Sequence, residues 1–193
     1  MTARQRLFVA VELDDASRAA CAGVAERLRI AGFDGRWVAP ANYHLTIAFL
    51  GGVDEERAGA VAAALRDVAP RIGPFAVRLD AVGAYPSARK ARIAWTGPAA
   101  RVPAFEALGA AVRGALLPLG FSFERDADPH VTLARTDGRH PLPPVAPPSA
   151  PPVAVDAIAL YQSFTEQTGA RYVVLERFAL AGTSRPDCAI ADS

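Results

Sequence analysis

Cysteine, histidine, lysine and excess charge are all scarce in this chain, and each shortage removes a class of function. The two cysteines, Cys21 and Cys188, have no metal-ligand spacing and cannot build a disulfide framework, so both are read as free thiols. Lys90 is the only lysine, which leaves nearly all positive charge on arginine. Guanidinium groups favour bidentate contacts with phosphate, although coding bias produces the same composition. The formal net charge of +1 argues against a broad, sequence-independent nucleic-acid binder, which carries a basic surface.

Long apolar runs are absent as well. No stretch approaches transmembrane length, and Met1 to Arg6 leads into a short strand-like segment rather than a signal sequence. The expectation is a cytoplasmic protein with no membrane association, present as a monomer. With 193 residues, 51% of them hydrophobic, the chain has enough apolar material for one compact domain or two intimate lobes.

The periodicity alternates strands with helices in two similar halves. Leu7 to Leu13 alternates as a strand, and a helix follows from about Asp15, with Ala20, Val24 and Leu28 at every fourth position. His44 to Leu50 is a second strand closed by Gly51-Gly52, and Asp54 caps a helix bearing Val61, Leu65 and Val68 on one face. Phe75 to Val82 and Arg92 to Thr96 read as a hairpin with a basic tip at Arg89-Lys90. Pro103 opens a helix whose stripe is Phe105, Leu108, Val112 and Leu116, and His130 to Ala134 is the next strand. Pro141 to Pro152 is an extended connector, and Val153 to Tyr161 and Tyr172 to Leu180 close the chain. Residues 1–184 are expected to form a single two-lobed domain, and 185–193 a frayed tail.

Against that background two strings stand out: His44-Leu45-Thr46-Ile47 and His130-Val131-Thr132-Leu133. Two of three histidines precede a threonine by two positions, a coincidence with a chance probability of about half a per cent. On a strand, residues two apart share a face, so His44 and Thr46 project together while Leu45 and Ile47 enter a core. The same parity joins His130 to Thr132. If the two strands are neighbours, two imidazole and hydroxyl pairs converge.

Paired imidazoles suit a reaction that takes one proton and gives another. An ordinary pKa near 6.5 lets one ring be neutral and the other charged. The neutral ring accepts a proton from an attacking water or hydroxyl, and the charged ring donates one to a departing oxygen. Threonine hydroxyls can donate to nonbridging phosphate oxygens, and such a site needs no metal or other cofactor. A single His-x-Thr in a strand is commonly structural, its ring satisfied by a backbone carbonyl and its threonine chosen for β propensity. The pair is what favours chemistry. His140, followed by Pro141, serves as a control and is read as a solvated loop residue.

Carrying both motifs, the chain resembles the two-histidine phosphoesterase superfamily, in the branch of bacterial and archaeal RNA 2′,3′-cyclic phosphodiesterases once called 2′-5′ RNA ligases. The resemblance extends to Arg6-Leu7-Phe8-Val9-Ala10, Arg36-Trp37-Val38, Asn42-Tyr43, Phe49-Leu50-Gly51, Pro129, Leu160-Tyr161 and Arg171-Tyr172, covering roughly residues 5 to 181. It implies an α+β fold of two pseudo-twofold-related lobes, with antiparallel sheets and flanking helices around a cleft. The implied catalytic residues are His44 and His130. Thr46, Thr132 and Arg135 are implied as the phosphate ligands.

The implied reaction is hydrolysis of a terminal 2′,3′-cyclic phosphate on RNA or a nucleotide, without metal, in which the 3′ oxygen departs and a 2′-phosphate remains. The reading leans to His44 as acid and His130 as base, from a nearly symmetric sequence. Ligation by the reverse reaction, a small cyclic-nucleotide substrate, and non-catalytic binding of RNA ends stay open. Arg135 poses a parity problem, because in a regular strand it points away from His130 and Thr132, so its contact requires a twist or bulge. Arg89, Lys90 and Arg92 are candidates for steering an RNA backbone, and Phe8, Trp37 and Tyr161 for stacking a base, with an exposed tip and core packing as the alternatives.

Overall fold

A computed structural model describes residues 4–124, 126–166 and 169–183; the expected tail, with Cys188, lies outside them. The elements in chain order are β1 (Gln5–Glu12), α1 (Asp15–Ile30), β2 (Arg36–Trp37), β3 (His44–Val53), α2 (Glu55–Val68), β4 (Phe75–Val77) and β5 (Ala81–Ser87), then β6 (Lys90–Gly97), α3 (Pro103–Leu116), β7 (Val131–Arg135), β8 (Val153–Val155), β9 (Ala157–Glu166) and β10 (Gly169–Ala179). One sheet has the order β10-β9-β1-β3 and the other β2-β7-β6-β5, both antiparallel, and β4 pairs with β8 in a small third sheet. The fold is mixed α+β, as the sequence implies.

Local signals set the helix ends. The Asp14 carboxylate accepts the Ser17 N–H at 2.6 Å, and Asp54 accepts the Arg57 N–H at 2.9 Å. Pro103 occupies the first turn of α3, where its missing N–H costs nothing. Beyond α3, Gly120 takes a left-handed φ of 79°, which ends the following turn at low steric cost. The proline-rich connector lies outside helices and strands. It is tied down by the Leu142 N–H on Ala88 O at 2.8 Å and by the Arg27 guanidinium on the Ala146 carbonyl at 2.9 Å.

Partnership differs from the simple two-half order. The stretch 75–82 divides between β4 and β5, and 153–161 breaks at Asp156 between β8 and β9. Strands β9 and β10 return to the first sheet, while β2 leaves the first half to edge the second. Alternating hydrophobicity identifies extended backbone but carries no record of which strand pairs with which. The lobes therefore interlock. Helix α1 packs against β7, α3 packs against β3 and α2, and one continuous core joins both lobes. No helix among the described residues is long and apolar enough to cross a membrane.

The same irregularity recurs in both motif strands. In β3, Val9 pairs with Ala48 but Ala10 pairs with Thr46, so Ile47 is an extra residue. In β7, Ala94 pairs with Ala134 but Trp95 pairs with Thr132, so Leu133 is extra. Each bulge falls three residues after the histidine and resets the alternation. Ile47 and Ala48 are buried in succession, as are Leu133 and Ala134, and the next residues, Phe49 and Arg135, emerge on the exposed side.

Because Phe105 is fully buried where α3 meets the shared core, Phe105→Ala is expected to destabilise the fold by about 3–5 kcal/mol. Urea unfolding measures this as a lowered midpoint; a loss below about 1 kcal/mol would show that the core is not packed there as described.

Candidate active site

The cleft-facing side of the first sheet carries a small apolar cluster of Phe8, Ala10, Ala159 and Tyr161, with Tyr172 and Val174 against it. Phe8 and Tyr161 stack with centroids 4.8 Å apart and planes 5° apart. The His44 ring rests on this floor, 4.9 Å from Phe8 and edge-on to Tyr172 at 5.4 Å. Its Nδ1 lies 2.7 Å from the Asn42 carbonyl. A carbonyl only accepts, so Nδ1 holds the proton and Nε2 keeps its lone pair.

On the second sheet His130 repeats the arrangement, with Nδ1 at 2.9 Å from the Asp128 carbonyl. Its surroundings differ. Tyr85 meets the ring edge-on at 5.2 Å, and the Tyr85 hydroxyl donates to the Asp128 carboxylate. Trp95 lies against Tyr85 at 5.5 Å and leaves no room for a Cβ on Gly83 beneath it. Gly97 brings β6 equally close to the histidine, since a Cβ there would sit 2.6 Å from the Pro129 carbonyl oxygen.

Both rings line one cleft of about 700 Å³, together with Thr46, Thr132 and Arg135. The Thr46 and Thr132 hydroxyls have no hydrogen-bond partner among the described residues and are free to donate to a ligand. Arg135 reaches this side because of the β7 bulge, which resolves the parity problem. The structure thus brings together all five residues proposed from the sequence for the site.

Other candidates are placed elsewhere. Phe8 and Tyr161 are buried beneath His44, and Trp37 packs edge-on to Phe33 with Arg29 over its ring, so none offers a face to a base in the cleft. Arg89, Lys90 and Arg92 do not line the cleft, and neither does His140. Phe49, 67% exposed, does line it. Phe49, Tyr85, Asp128 and Tyr172 line the cleft as well, and the His-x-Thr pattern does not mark them as site residues. A signal for Asp128 was present: Asn42 and Asp128 each stand two positions before a motif histidine.

Burial dominates the electrostatics. It pushes His44 down to about 4, opposed by the Asn42 hydrogen bond and reinforced by the positive charge of His130 and Arg135. His130 is also held below the ordinary imidazole range by burial, but its bond to Asp128 and the Asp128 carboxylate oppose the shift. Each unliganded ring is therefore neutral at pH 7. A bound anion would supply the missing counter-charge to both. Among the described residues no three His, Cys, Asp or Glu side chains gather in a metal-holding group.

Residues 11–95 match the LigT-like phosphoesterase family. The chain is 30% identical over 180 residues to the RNA 2′,3′-cyclic phosphodiesterase of Thermotoga maritima, spanning 88% of this chain and 92% of that one. Escherichia coli LigT complexed with phosphate superposes with a TM-score of 0.76 at 30% identity, over 93% of this chain and 99% of LigT. A protein of Thermus thermophilus superposes at 0.79 with 31% identity, over 93% and 100% of the two chains.

The depressed His44 pKa has a consequence for stability. The unfolded ring binds its proton near pH 6.5 and the folded ring near 4, so between these values the unfolded chain holds more protons and stability falls as pH falls. His44→Asn is expected to flatten the dependence of unfolding free energy on pH between 6.5 and 4 while leaving its value above pH 7 within about 1 kcal/mol. An unchanged slope in chemical unfolding would mean that the ring is not desolvated.

Proposed function

This chain belongs to the LigT-like phosphoesterase family, and from that premise we propose that it hydrolyses the 2′,3′-cyclic phosphate at the 3′ end of RNA to a 2′-phosphate, without a metal. One observation carries the reading: two imidazoles from opposing sheets, each with Nδ1 bonded to a backbone carbonyl, line a single cleft with two threonine hydroxyls that have no partner among the described residues. The Thermotoga relative's activity and the phosphate held by E. coli LigT support it.

His130 Nε2 takes a proton from water as the water oxygen attacks phosphorus. The P–O3′ bond breaks, and His44, which takes up a proton at Nε2 when the bound phosphate supplies a counter-charge, gives that proton to the departing 3′ oxygen. Thr46, Thr132 and Arg135 hold the nonbridging oxygens, where charge accumulates. The two environments support this division. The Asp128 carboxylate beside His130 favours proton uptake, whereas the buried, aromatic surroundings of His44 favour proton release. The exposed ring of Phe49 offers the terminal base a stacking face.

With a short RNA ending in a 2′,3′-cyclic phosphate, His44→Ala and His130→Ala are each expected to lower kcat at least about a hundredfold while binding persists. Wild-type activity is expected to survive EDTA. Because kcat/KM reports the free enzyme and both rings titrate below 6.5, its bell-shaped pH profile should peak on the acid side of that value. A 3′-phosphate product, loss of activity in EDTA, or full activity in either variant would contradict the reading.

A further inference from the structure

On the other side of Arg135 lies a second hollow of about 330 Å³, lined also by Asp34, Gly35, Arg36, Thr136, Asp137 and His140. Arg135 is common to both spaces. Arg36 stands directly opposite it across the β2–β7 ladder, and residues so paired project from the same face of a sheet. Val38, two residues further along, lines the main cleft, so Arg36 looks towards the same side.

Like charges opposed across a ladder are unfavourable without compensation. Neither Arg36 nor Arg135 has an ion-pair partner among the described residues, although many other arginines of the chain do, including Arg66, Arg101 and Arg177. Two carboxylates border the hollow and do not neutralise the pair. Asp137 is engaged by Arg139, through an ion pair at 3.1 Å and the Arg139 N–H at 3.0 Å. Asp34 has no partner among the described residues, so in the unliganded site two guanidiniums face one uncommitted carboxylate, and Arg135, which borders both spaces, can bridge an anion in each. Gly35 lines the hollow with bare backbone, where a Cβ would press Thr136 Cγ2 at 2.9 Å. His140, expected as a solvated loop residue, stands at this hollow.

We infer that this hollow is a second phosphate subsite, built on Arg36 and Arg135, which takes the singly charged phosphodiester one nucleotide upstream of the reacting group. The inference rests on the cyclic-phosphodiesterase reading and extends it. It makes an oligonucleotide end the preferred substrate over a mononucleotide, with Arg36 as the residue that distinguishes them.

The test compares adenosine 2′,3′-cyclic phosphate with a diadenosine monophosphate ending in a 2′,3′-cyclic phosphate, for wild type, Arg36→Ala and Arg36→Gln. The ratio of kcat/KM for dinucleotide over mononucleotide is expected to fall about tenfold in both variants, as for loss of one charge-assisted phosphate contact. Calorimetry with the corresponding 2′-phosphate mononucleotide and dinucleotide is expected to show the same fall in the affinity ratio. An unchanged ratio in both assays, whether because neither substrate is affected or because both are affected equally, overturns the subsite. If wild type turns over neither substrate, the hydrolytic reading fails, and the affinity ratio alone decides the subsite.

Discussion

The hydrogen bond from each imidazole Nδ1 to the carbonyl two residues before it is the contact on which the site depends. It does two things together. It selects the tautomer with Nε2 unprotonated, and it fixes the ring plane relative to its strand, so that His44 and Thr46, or His130 and Thr132, address one volume. A ring free to rotate would present either nitrogen and lose the definition that proton transfer at a fixed atom requires. Because the bond is made by main chain rather than by a carboxylate, it orients without adding charge. Burial is then free to keep both rings neutral until an anion arrives.

The two lobes use one plan and fill it differently. Each motif strand carries a bulge three residues past its histidine, which re-aims the fifth residue towards the cleft side. In the first lobe that residue is Phe49 and in the second it is Arg135. An aromatic face and a cation thus occupy equivalent places. The rings also differ in support: His44 lies on stacked aromatics, while His130 has the Tyr85 and Asp128 pair beside it. Near-symmetry supplies convergence, and these local departures give the two rings different surroundings.

The parts legible in the sequence were those governed by local rules. Helix caps at Asp14 and Asp54, the α3 stripe and the burial of Leu45, Val131 and Leu133 follow from spacing and side-chain chemistry. The five residues proposed for the site also line one cleft: strand parity pairs each histidine with its threonine, and the β7 bulge turns Arg135 to the same side. What periodicity does not hold is pairing. The return of β9 and β10 to the first sheet, and the crossing of β2 to the second, are long-range choices decided by core packing. The β3 bulge is hidden for a related reason, because successive apolar residues such as Ile47-Ala48 read as a continuous buried run, whereas the parity of Arg135 already requires a twist or bulge in β7. Phe8 and Tyr161 are aromatic for packing, and only coordinates separate them from Phe49, whose ring is exposed.

The most direct test of convergence is a crystal structure with uridine vanadate, whose trigonal bipyramid imitates phosphorus with attacking and leaving oxygens in line. The account predicts vanadium in the cleft, with His44 Nε2 and His130 Nε2 each within about 3 Å of a different apical oxygen and the threonine hydroxyls on equatorial ones. Vanadate bound against one ring only, or outside the space between the two sheets, would contradict it.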